Sequence, residues 1–192
     1  MHTITVAPLG PGHRDLVTLG AWKQMQKAGC LVLRTARHGA AAMLAEEGIR
    51  FASLDALHEQ SADFDGFARA AAEAVIRMAQ KRAVTYAVPD PARDETVRRL
   101  REMAGKKLRI LPGVALEGPM VAAAAPEGGI LVSSAVGLEA CNAQQPLAVV
   151  ELNSRALAGD VKLKLLPVYG ESARVLFFAP GEQAVRRGIW MK

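Results

Sequence analysis

The stretch Thr3-Ile4-Thr5-Val6-Ala7-Pro8-Leu9-Gly10-Pro11-Gly12 decides the fold. Its first half is β-branched and apolar, the composition of a buried strand. Its second half is a glycine–proline turn that ends the strand abruptly. Two later runs end the same way. Thr85-Tyr86-Ala87-Val88 stops at Pro89-Asp90-Pro91, and Leu108-Arg109-Ile110-Leu111 stops at Pro112-Gly113. Each reads as a buried parallel strand. In open α/β sheets small ligands bind in the crevice beyond the carboxyl ends of the strands. Three such endings point to a small-ligand pocket without yet naming the ligand.

The segments between them supply helices. Thr18 can cap a helix that runs to about Lys27, and Gly29 stops it. Residues 30–34 read as a strand, 40–47 as a short helix ended by Gly48, and 50–52 as a weak strand. The clearest helix covers 63–80, where Phe64, Phe67, Ala68, Ala71, Val75 and Met78 recur at helical spacing. A further helix covers 94–104, with Gly105 behind it. Alternating strands and helices predict a parallel sheet with covering helices.

Beyond Pro112-Gly113 the composition changes. A helix from about Leu116 ends in the small-residue run 122–125. Strands are predicted at 129–133 and 147–152, a short helix at 160–166 limited by Pro167, and a last strand at 174–179. Residues 180–192 show little pattern. The expected division is an N-terminal α/β domain over 1–112 and a smaller C-terminal α/β domain over 113–192.

Bulk properties narrow the function classes. The chain has 192 residues, 51% of them apolar, enough for a real core in one or two domains. No run approaches the roughly 20 apolar residues of a membrane span, and no signal-peptide pattern is evident. Cys30 and Cys141 match no metal or redox spacing, so a reduced, cytoplasmic chain is expected. His2, His13, His38 and His58 are scattered, so no metal site is expected. Net charge is +5, and only 5% of residues are aromatic. The clusters Arg98, Arg99, Arg101 and Lys106, Lys107, Arg109 therefore read as solvated faces rather than a nucleic-acid surface.

Two motifs carry candidate chemistry. In Gly10-Pro11-Gly12 the glycines let backbone approach a ligand closely, or simply make a tight turn. The motif is neither a dinucleotide fingerprint, lacking a third glycine in place, nor a P-loop, lacking Gly-Lys-Ser/Thr. Pro89-Asp90-Pro91 puts a carboxylate at a strand end, either to bind a hydroxyl or amine, or as a proline-framed turn. Ser133-Ser134 lacks the context of a nucleophile elbow.

Taken together the loops resemble those of the tetrapyrrole (corrin/porphyrin) methylases. Within that family the chain is most similar to the methylase-like domain found with MazG-type nucleotide pyrophosphohydrolases. The carrying residues are Ile4 through Gly12 with Asp15-Leu16-Val17-Thr18, then Leu33-Arg34-Thr35 with His38. Tyr86-Ala87-Val88-Pro89, Glu95-Thr96-Val97, Leu111-Pro112-Gly113-Val114 and Gly159-Asp160-Val161-Lys162-Leu163 follow in order. The resemblance implies two α/β domains with a cleft, S-adenosylmethionine as cofactor, and a homodimer. It implies cofactor contacts at Pro11, at Val88, Pro89 and Asp90, and at Ala115 and Leu116, and it names no catalytic residue. A nucleotide pyrophosphohydrolase is an expected partner. The chain departs from the family at His13, Pro89 and Ala115, where Asp, Gly and a hydroxyl residue are usual. Two alternatives follow: an S-adenosylmethionine-dependent methyltransferase, or a non-catalytic relative with a regulatory or interaction role.

Overall fold

The computed structural model of the chain describes residues 1–138, 145–152 and 154–178 and the backbone of 186–189. Contacts divide it into two units, Met1–Ala115 and Leu116–Lys192.

The first unit is built on five parallel strands in the order β3-β2-β4-β1-β5: β1 (Ile4–Pro8), β2 (Leu31–Leu33), β3 (Ala52–Ser53), β4 (Val84–Val88) and β5 (Leu108–Ile110). All residues of β1 and β4 are buried. They pair from Ile4 with Val84 to Pro8 with Val88. Continuous apolar runs suit strands covered on both faces, and both faces are covered here. Helices α1 (Leu19–Gln26) and α2 (Gly39–Glu46) pack Ala21, Met25, Ala40 and Leu44 on Ala7, Leu33 and Ala87. Helices α4 (Phe64–Lys81) and α5 (Glu95–Ala104) pack Phe67, Val75, Val97 and Leu100 on Val6, Val84 and Tyr86. The two-residue side-chain alternation of a strand thus feeds two separate cores. Burial of a side chain such as Phe67, 1% exposed, contributes about 1.5–3 kcal/mol.

The helix starts are written locally. Thr18, Asp63 and Asp94 cap α1, α4 and α5 by accepting a backbone N–H from the third residue on. One helix escapes sequence reading: α3 (Asp55–Gln60), whose N-cap Leu54 offers no side-chain acceptor. Asp55 is instead anchored from a distance, accepting from the Thr35 hydroxyl at 2.6 Å and the Ala36 N–H at 2.9 Å. The weak strand expected at 50–52 is displaced to Ala52–Ser53, an exposed edge of two residues.

The second unit contains α6 (Gly118–Ala124), a parallel pair β6 (Leu131–Ser134) and β7 (Leu147–Val150), α7 (Arg155–Tyr169), and an antiparallel pair β8 (Arg174–Phe177) and β9 (Arg186–Ile189). Val161 and Leu165 of α7 pack with Ala135, Leu138, Leu147 and Val149. Two expectations are corrected here. The helix expected over 160–166 runs for 15 residues, because Ser154 caps it at an earlier turn and Pro167 does not end it. In the last turn a proline removes one hydrogen bond with little helix left to disrupt; Gly170, at φ +75°, closes the helix. The stretch read as patternless contains β9, whose Arg-Arg-Gly-Ile holds a single strong strand former and pairs with β8. Ala179, the expected end of the last strand, and Cys141 lie outside the described residues. Among the described residues no helix is long and apolar enough to cross a membrane.

Candidate functional site

The strand order creates the site. The connection leaving β1 runs through α1 on one face of the sheet, and the connection leaving β4 runs through α5 on the other. Yet β1 and β4 are neighbours. Loops leaving adjacent strands in opposite directions open a crevice between them, the usual ligand position in such sheets.

Hydrogen bonds carry the pairing past the strand ends. Leu9 N–H donates to the Val88 carbonyl at 2.7 Å and Gly10 N–H to the Pro89 carbonyl at 3.0 Å. Gly10 sits at φ +73°, and a Cβ there would lie 2.6 Å from the Leu16 carbonyl oxygen. Only glycine takes both the conformation and the contact. The third loop joins through packing: a Cβ on Gly113 would lie 2.4 Å from the Pro8 side chain. The Thr18 hydroxyl donates to the Pro112 carbonyl at 3.2 Å.

His38 locks the first loop. Its Nδ1 accepts the Ala40 N–H at 3.2 Å, capping α2, so Nε2 carries the proton and donates to the Gly10 carbonyl at 3.0 Å. Burial pushes the His38 pKa below its ordinary value and outweighs the opposing pull of the Gly10 carbonyl. Protonation would turn Nδ1 into a donor facing the Ala40 N–H. Below the unfolded value of 6.5 the unfolded chain binds the proton more readily than the folded one. The stability that His38 contributes is therefore full above that pH and lost as pH falls toward the folded pKa. His38→Ala should cost about 1–2 kcal/mol at pH 8, one cap and one tether. In urea titrations the gap from wild type should narrow below pH 6.5; a gap that stays constant down to pH 4.5 would contradict the assigned tautomer.

The structure brings most of the expected contact residues to one end of the sheet. Pro11, Val88 and Asp90 are buried, Pro89 is half-buried, and Ala115 is exposed at the end of the first unit. Leu116 belongs to the second unit. Asp90 spends its carboxylate on its own loop: Oδ1 accepts the Ala92 N–H at 2.9 Å, and Oδ2 lies 3.8 Å from Arg93 Nε. Of the two alternatives for Pro89-Asp90-Pro91, its contacts are those of the proline-framed turn. Pro11 and Pro89 have no N–H, that of Gly10 is already used, and the carbonyls of Gly10, Val88 and Pro89 each already accept one hydrogen bond, so these positions offer a ligand apolar surface and at most a second lone pair on each of those carbonyls.

Sequence reading quoted Arg34 within the motif Leu33-Arg34-Thr35 but gave no role to this charged group beside the loops. Arg34 follows β2 directly, and its backbone N–H donates to the Ala87 carbonyl at 2.9 Å. Its Nε lies 2.9 Å from Asp94 Oδ2, and Cζ stands 5.1 Å from the centroid of the Phe67 ring. Asp94 Oδ1 accepts the Val97 N–H at 2.9 Å. Burial pushes the Asp94 carboxyl above the usual carboxylate range; Arg34 and the capping amides pull the other way. Tyr86 is buried nearby, and its phenol is pushed far up, first by burial and then by the Asp94 charge. A usable signal existed: an aspartate three residues before Val97 at a helix start, and an arginine ending an otherwise apolar strand. By contrast, Arg98 and Arg99 on α5 are tied to Glu95, Glu102 and Asp65.

No protein-family model matches the chain. It is 31% identical over 106 residues to the uncharacterized protein YabN of Bacillus subtilis (strain 168). That match covers 54% of this chain and 22% of YabN, so the chain spans less than a quarter of that relative's length. Solved structures similar over nearly the whole chain include two methyltransferases. The methyltransferase CobJ is 20% identical, with 99% of this chain and 87% of that one covered and a TM-score of 0.62. Uroporphyrin-III C-methyl transferase from Thermus thermophilus, complexed with S-adenyl homocysteine, is 17% identical, with 97% and 82% covered and a TM-score of 0.61. At these identities the likeness is one of architecture: the chain has the α/β fold of the tetrapyrrole methyltransferases.

Proposed function

We propose that the chain is an S-adenosylmethionine-dependent methyltransferase, its methyl acceptor left unassigned. The observation that carries this reading is the hydrogen-bonded loop pair, Leu9-Gly10 on Val88-Pro89, at the point where β1 and β4 part, in a fold shared with methyltransferases.

The residues fit such a cofactor. Gly10, at φ +73°, makes the tight turn against Leu16, and Gly12, at φ +112°, keeps the rest of the first loop free of a Cβ. Pro11, Val88, Pro89, Asp90 and Ala115 would wall the crevice with mainly apolar surface, and the second lone pairs of the Val88 and Pro89 carbonyls could take amine or hydroxyl donors. Bound S-adenosylmethionine supplies a methyl group on a sulfonium, a leaving group already activated. The chain then has only to hold donor and acceptor in line and exclude water, so no acid–base pair is required. Rigid loops suit that role, and His38, the Gly10 bond and the Gly113 packing each remove freedom from the wall. By the same family resemblance the active species would be a homodimer, which light scattering on the purified chain tests directly, and a nucleotide pyrophosphohydrolase would be its partner.

Isothermal titration with S-adenosylmethionine and S-adenosylhomocysteine tests the central point. Saturable binding at micromolar to submillimolar concentration is expected. Absence of both heat and thermal shift at millimolar ligand would overturn the reading and favour a non-catalytic relative.

A further inference from the structure

Arg34 is held on two sides and open on a third. Asp94 fixes Nε at 2.9 Å, and the Phe67 ring lies under the guanidinium at 5.1 Å. Its terminal amino groups make no hydrogen bond to any described residue, and its side chain is 28% exposed. Three acidic side chains of α3 and α4 are engaged elsewhere. Asp55 accepts from Thr35 and Ala36, Glu59 pairs with Arg37, and Asp65 pairs with Arg69 and Arg99. Among the described residues no carboxylate therefore claims the free edge of the guanidinium.

Position adds to this. The end of β4 is flanked by Gly10, bonded to Pro89, on one side and by Arg34, bonded to Ala87, on the other. The loop Val88-Pro89-Asp90 lies between them. A flat cation whose plane and torsion are fixed in advance loses little freedom on taking up a partner. The edge carrying both amino groups matches the two oxygens of a carboxylate, a geometry lysine cannot reproduce.

We propose that Arg34 is a carboxylate receptor of the crevice, binding its ligand through the paired terminal amino groups. The proposal rests on the methyltransferase reading, and it deepens that reading by naming a ligand group. The carboxylate has two possible sources, the amino-acid end of the cofactor or the acceptor.

The test titrates the full chain, wild type, Arg34→Lys and Arg34→Gln, with three probes. They are S-adenosylhomocysteine, 5′-methylthioadenosine (the nucleoside without the amino-acid carboxylate), and tricarballylate, a small polycarboxylate. Arg34→Lys keeps a cation opposite Asp94, and thermal melts identify any variant that fails to fold. If the cofactor supplies the carboxylate, both variants lose about tenfold or more in affinity for S-adenosylhomocysteine and nothing for 5′-methylthioadenosine. If the acceptor supplies it, both nucleosides bind the variants as they bind wild type, and tricarballylate binds wild type alone. A folded Arg34→Lys that binds all three probes like wild type overturns the proposal and leaves the methyltransferase reading standing. Loss of both nucleosides in wild type overturns that reading instead, with tricarballylate still reporting on Arg34.

Discussion

Replacing Gly39 by alanine is expected to destabilise the protein by about 1–3 kcal/mol and, on the methyltransferase reading, to abolish binding of S-adenosylhomocysteine. Gly39 is the first residue of α2, and a Cβ there would lie 2.1 Å from the carbonyl oxygen of Gly12. Backbone cannot yield as a flexible side chain would, so either the helix start or the glycine loop must shift by roughly 1 Å, an overpacking cost of about 1–3 kcal/mol or more. Helix propensity opposes this, since alanine is better than glycine by about 1 kcal/mol inside a helix. The clash is larger, and a displaced loop also strains the His38 and Pro89 contacts to Gly10. For a chain of this size each kcal/mol lowers the melting temperature by roughly 2–4 °C. Gly29→Ala is the control, because nothing lies within 4 Å of its added carbon and its φ lies outside the left-handed region. Equal melting temperatures for the two variants would show that the close approach is absent in solution.

Asp94→Ala should cost about 3–4 kcal/mol. Two losses combine: the N-cap of α5, worth about 1 kcal/mol, and the partner of a guanidinium that is itself mostly buried. Asp94→Asn separates them. An amide oxygen still accepts the Val97 N–H, and a neutral side chain escapes the desolvation that raises the carboxyl, so its cost should be about half. Chemical denaturation of both variants measures the difference. Asn as harmful as Ala would mean that the retained cap contributes nothing measurable, and Asp94→Ala within 1 kcal/mol of wild type would remove the pair from the architecture altogether.

Much of the first unit could be read from residues alone, because its instructions are local. Thr18, Asp63 and Asp94 announce helices by their own side chains, and the buried strands are unbroken apolar runs. The ends of β1 and β4 were equally plain from glycine and proline. What escaped depends on partners distant in the chain. Helix α3 is anchored by Thr35 rather than by its own cap, and β9 exists through β8. Within the crevice, Gly10, Pro89 and Asp90 could be located, but their contacts could not. No spacing rule connects His38 to the Gly10 carbonyl, or Arg34 to Asp94, until the sheet order sets the ends of β1, β2 and β4 side by side.

That order has a cost in time. Of this sheet's strands β1 is synthesised first, yet it lies inside the sheet, and its neighbours are β4, some 80 residues later, and β5 beyond it. At ribosomal speeds of about 5–20 residues per second, Ile4, Val6 and Ala7 wait several seconds with both edges unpaired. Contacts so remote in sequence also slow refolding. A fragment ending after β3 has no parallel partner for its opening strand, and pulse-labelled nascent chains should gain protease resistance only once β4 has left the exit tunnel.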